Sequence, residues 1–181
     1  MKSSLSPKLD PIKIFQHATN FHASEHRLRT TISPDKPETI LIARPSMVLS
    51  AFASELYLKC LLCAENGEAP NEHNLKTLFL RLVPPTRRRL EELWDEDIKQ
   101  PDKQADFNLI RSMPEGQNLQ LDLLYALDIG ANAFIELRYF YEKERAFFIL
   151  GELPSMLRKV ILEKYPHWAP TPATLPIGPI R

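Results

Sequence analysis

Between Ser46 and Asn66 the chain is apolar almost all round: Met47, Val48, Leu49, Phe52, Leu56, Leu58, Leu61 and Leu62 leave no continuous polar face, and Gly67 follows as a C-terminal stop. A helix of that length without a solvent side must be surrounded by other elements, which places it at the centre of any fold the chain adopts. A second stretch, Asn118 to Lys143, carries Leu119, Leu121, Leu123, Leu124, Leu127, Ile129, Ala133, Phe134 and Leu137. It reads as a second core helix.

The remaining pattern is punctuation. Sixteen prolines against five glycines suit helices separated by stiff breaks. Beyond Pro7 and Pro11 they fall at Pro34, Pro37 and Pro45, at Pro70, Pro84 and Pro85, at Pro101, Pro114 and Pro154, and in a final run from Pro166 to Pro179. Helical spacing of Ile14, Ala18, Phe21 and Leu28 predicts an amphipathic helix over Lys8 to Thr30, with Glu25 interrupting the stripe and His22 beside it. Shorter helices are expected over Asn74–Leu82, Pro85–Lys99 and Pro154–Tyr165, and an irregular segment from Pro101 to Gly116 with a short helix near Ala105–Arg111. No alternating run is long enough for a sheet. The expected fold is all-α, an up-and-down bundle of four to five main helices forming one domain over residues 1–165, followed by an extended Pro-rich tail over 166–181.

Charge and cysteine usage narrow the partners. Lys plus Arg and Asp plus Glu both number 23 in 181 residues, so no global field draws the chain onto nucleic acid or an anionic membrane. No stretch reads as a membrane span, and Met1 to Lys13 lacks the apolar core of a signal peptide, so a cytoplasmic location with no membrane partner is expected. Cys60 and Cys63 form a CxxC late in a helix, far from the N-terminus that would lower a thiol pKa. With no second pair to complete a zinc site, they read as buried thiols. No cofactor is indicated.

The residues with chemical potential are few. At 100° per residue, Asp128, Asn132, Tyr139 and Glu142 fall within about 80° on a continuous second core helix, with Glu136 and Arg138 at the margins. Such a stripe is either a polar cleft or a solvent face with a routine Arg138–Glu142 pair. Glu55 and Lys59 form another i,i+4 pair among apolar neighbours, either facing that cluster or neutralising each other in the core. His73 sits where the third helix starts. His22 and His26 share a face, but two imidazoles fall short of a metal site. Arg87, Arg88 and Arg89, with Arg81, are a basic patch or, since Glu91 and Glu92 follow at once, a solvated face.

Three of these segments occur together in one known family. The run Ser54-Glu55-Leu56-Tyr57-Leu58-Lys59-Cys60-Leu61-Leu62, the run Glu72-His73-Asn74-Leu75-Lys76-Thr77-Leu78-Phe79 and the run Ala131-Asn132-Ala133-Phe134-Ile135-Glu136-Leu137-Arg138-Tyr139-Phe140-Tyr141-Glu142 resemble, in that order, helices of the HEPN superfamily. The resemblance covers about 30 residues of the chain. It implies a helical bundle that pairs into a homodimer, with Glu55, Lys59, His73, Asn132, Arg138, Tyr139 and Glu142 lining a ligand-binding cleft. HEPN ribonucleases carry an Arg followed after four to six residues by a His. Here the corresponding positions after Arg138 include Lys143, Glu144 and Arg145, and no Arg of the chain has a His at that spacing. The resemblance therefore implies a non-catalytic module binding a nucleotide, RNA or partner protein, of the kind found in toxin–antitoxin and defence systems. An atypical metal-independent ribonuclease using Arg138, Glu142 and His73 is the alternative, and a structural dimeric adaptor a third.

Overall fold

The structure, a computed structural model, describes residues 9–31, 39–112, 116–132 and 150–169, and every regular element among them is helical. In chain order these are α1 (Pro11–Arg29), α2 (Thr39–Asn66), α3 (Leu75–Leu80), α4 (Pro84–Ile98), α5 (Pro101–Ser112), α6 (Leu123–Ile129) and α7 (Leu153–Lys164), followed by a 3-10 turn at Pro166–Trp168. The protein is all-α over the described residues. The C-terminal tail beyond Ala169 lies outside them.

As the apolar pattern requires, α2 is central. α1 packs along its length, with α3 and α7 against its other sides, and α4 packs on α7. Tyr57, Leu58, Cys60, Leu61 and Leu62 are fully enclosed, facing Phe15 of α1, Leu75, Leu78 and Phe79 of α3, Leu90 of α4, Leu127 of α6 and Leu157 and Ile161 of α7. Each such side chain withdrawn from water contributes about 1.5–3 kcal/mol, so the stability of the domain is concentrated around this helix. By length and hydropathy Leu41–Asn66 is also a helix capable of crossing a membrane, contrary to the sequence expectation, but most of it is buried inside the fold.

Helix ends follow local chemistry. Asp10 accepts the Ile12 N–H to start α1, with Pro11 behind it; Asn74 accepts the Thr77 N–H to start α3; Gly67, at φ +80°, closes α2 in the left-handed region that other residues avoid. Three expectations need correction. Pro45 does not bound α2, which begins at Thr39 and runs through it. The ring is exposed, so the carbonyl left without an N–H partner one turn earlier, at exposed Leu41, can bond to water. The segment after Pro101 is a full helix to Ser112, started by Pro at the position where its missing N–H does no harm.

The third correction matters most, because the continuous helix expected from Asn118 to Lys143 does not form. The Leu119 carbonyl accepts from the Arg111 guanidinium at 3.2 and 3.0 Å, and the Leu121 carbonyl accepts from Trp94 Nε1 at 2.6 Å. Asp122 caps Tyr125 instead. At the other end Gly130 terminates α6, Ala131 and Asn132 continue in a turn, and the Ala131 carbonyl accepts the N–H of Leu75 at 2.8 Å. Residues 133–149 lie outside the described part. The helical register that put Asp128 and Asn132 on one stripe with Tyr139 and Glu142 is thus broken at Gly130.

Candidate polar site between α2 and α3

Glu55 is buried, and only its Oε1 is engaged, by Lys59 Nζ at 2.9 Å and by His73 Nδ1 at 2.9 Å. Its Oε2 is enclosed without a hydrogen-bond partner among the described residues. Lys59 is largely covered, whereas the His73 side chain is about half exposed. The site thus has a buried anionic floor, a shielded ammonium and an imidazole at the surface. With Nδ1–H donating to the carboxylate, the Nε2 of this half-exposed His73 ring carries the lone pair.

Two further contacts hold His73 in place. Glu72 Oε1 accepts the backbone N–H groups of His73 and Asn74, both at 2.8 Å, and these bonds, Asn74 first, hold its carboxyl below the usual range. The Leu75 N–H bond to Ala131 then pins the start of α3 to the turn carrying exposed Asn132. Lys76 Nζ reaches Asp128 at 2.8 Å, so Asp128 serves a surface pair rather than a cleft stripe. Glu55, Lys59 and His73 are therefore brought together and Asn132 stands on the adjoining turn, while Arg138, Tyr139 and Glu142 lie outside the described residues.

Glu72 was not singled out from the sequence. A Glu two residues before an Asn that caps a helix is the local signal that marks it. Several of the remaining sequence candidates have structural occupations. Arg89 forms a two-pronged pair with Glu163 of α7 at 3.0 Å on each prong, and Arg81 reaches Glu68 at 3.4 Å, so both are committed within the chain. Cys60 and Cys63 are buried thiols directed at the carbonyls of Pro11 and Leu9, and burial pushes the Cys60 thiol up to about 12. His17 packs edge-on against Phe21. No group of three or more metal-ligating side chains occurs among the described residues.

No family model matches the chain, and neither a curated protein nor a solved structure matches it.

Proposed function

We propose that the chain is a HEPN-like, non-catalytic helical module that binds a nucleotide, RNA or a partner protein in a polar cleft. Glu55, Lys59, His73 and Asn132 form one wall of it, and Arg138, Tyr139 and Glu142 belong to the same cleft by their place in the sequence motif. The observation that supports this best is the Glu55–His73 contact: a carboxylate 2.9 Å from Nδ1 orients a half-exposed imidazole and leaves its Nε2 to meet a ligand. A histidine that served only the core would be enclosed. The homodimer belongs to this reading as well, since in the family the cleft is completed by a second copy.

The test is titration of the protein with short single-stranded RNAs and with mononucleotides, comparing wild type with His73→Ala. Saturable binding weakened about tenfold by the substitution is expected, the usual effect of losing one charged or strongly oriented hydrogen bond. Absence of binding across that panel sinks the nucleotide and RNA branches and leaves a protein partner.

The same contact favours a second reading, because a carboxylate-oriented imidazole is also the arrangement of a general base. In an atypical metal-independent ribonuclease His73 would move the proton and Arg138 steady the phosphate. RNA cleavage by purified protein that disappears in both Arg138→Ala and His73→Ala is its signature. No cleavage of any RNA tried removes it.

A further inference from the structure

Tyr57 lies two residues, and so about 200° around α2, from Glu55, and faces α1 instead of α3. Its hydroxyl donates to Thr19 Oγ1 at 3.2 Å, and the Thr19 hydroxyl donates to the Phe15 carbonyl at 2.8 Å. With both protons spent in that direction, the Tyr57 oxygen is left to accept from His22 Nδ1 at 3.4 Å. His22 Nε2 then carries the lone pair, and Ser155 Oγ, 3.3 Å away in the first turn of α7, donates to it. The chain from Ser155 through His22, Tyr57 and Thr19 to Phe15 runs one way and holds the imidazole neutral.

This relay borders an open groove of about 340 Å³ lined by Thr19, His22, Ala23 and His26 of α1 and by Ser155 and Arg158 of α7. Its charge is one-sided. Arg158, Arg29 and His26 all act on His22 in the same sense, opposed only by Glu152, which is already paired with Arg29 and Lys103. Arg158 itself has no carboxylate within ion-pair distance among the described residues. A guanidinium with no carboxylate partner among the described residues and the exposed imidazole of His26, on two helices, form a donor set for an oxyanion, while the protons of Ser155 and neutral His22 are spent within the relay.

We propose that the α1/α7 groove binds the phosphoryl group of a small phosphate monoester, with Arg158 as the charged fork, His26 as the flanking donor, and the body of the ligand over Ala23. Donors on two helices suit the several oxygens of a tetrahedral anion better than the two coplanar oxygens of a carboxylate. His22 reports occupancy: an anion beside Arg158 offsets the positive surroundings, so the imidazole takes up a proton more readily when the groove is filled. The site is separate from the Glu55 cluster and stands or falls apart from it.

The experiment is titration of the full chain with inorganic phosphate, followed by the imidazole carbon-bound proton signals of His22 and His26. Saturable shifts of both signals with a midpoint of about 1 mM are expected, and in bound protein His22 titrates above its free midpoint of about 4. Arg158→Gln weakens binding about tenfold or more, whereas Arg158→Lys keeps part of it, and His26→Ala, at an exposed position, supplies a second variant that leaves the core untouched. Shifts that do not saturate, shifts unchanged in both Arg158→Gln and His26→Ala, or acetate binding as tightly as phosphate each overturn the proposal.

Discussion

The acid sensitivity of this fold should run through His22. Burial first, then the charges of Arg158, Arg29 and His26, lower its pKa from 6.5 to about 4, with Glu152 opposing them; Tyr57 and Ser155 hold the two ring nitrogens of the neutral form. The folded pKa lies below the unfolded one, so between pH 6.5 and 4 the unfolded chain binds more protons at this site, and stability falls as pH falls through that window. At 1.36 kcal/mol per unit, and with half of the folded molecules protonated at pH 4, the loss at this site amounts to about 3 kcal/mol between pH 7 and pH 4. The assay is urea unfolding at both pH values for wild type and His22→Gln. The variant gives up about 1 kcal/mol at pH 7 through its lost hydrogen bonds. Its acid-induced loss is about 3 kcal/mol smaller than that of wild type, since all other titrating groups are shared. Equal acid losses in the two chains, or a His22 proton signal with its midpoint near 6.5 in phosphate-free buffer, would refute the reasoning.

Two substitutions probe the rest of the framework. Lys59→Met strips the buried Glu55 carboxylate of its ammonium and should cost about 3 kcal/mol in chemical unfolding, with a substantial part recovered in Glu55→Gln/Lys59→Met; a loss under about 1 kcal/mol means the pair is not a buried one. At Gly130 an added Cβ would stand 2.5 Å from Cδ1 of Leu150, itself fully buried and unable to retreat without moving neighbours. Gly130→Ala should therefore cost about 1–3 kcal/mol, read as a melting temperature lowered by several degrees. An unchanged melting temperature would place the end of α6 away from Leu150.

The chain alone determined the parts whose cause is local. An all-round apolar run has one place to go, and α2 is at the centre; Asp10 with Pro11, Asn74 and Gly67 set helix ends because a cap, a ring and a positive φ act within one turn. The i,i+4 spacing of Glu55 and Lys59 likewise places them side by side wherever the helix lies. Tertiary structure alone decided the rest. Whether α6 continued past Asn118 or Gly130 depended on carbonyls claimed by Arg111, Trp94 and Leu75, partners distant in sequence that no periodicity reports. The burial of Glu25 beside Arg29 and Ser46, at a position that only seemed to interrupt a stripe, depended on α2 closing over it. His73 reached Glu55 through 18 residues, and Ser155 reached His22 through 133. Contacts over such separations exist only once the helices have packed, because the hydrophobic pattern specifies which faces are buried and leaves open which polar groups meet at their edges.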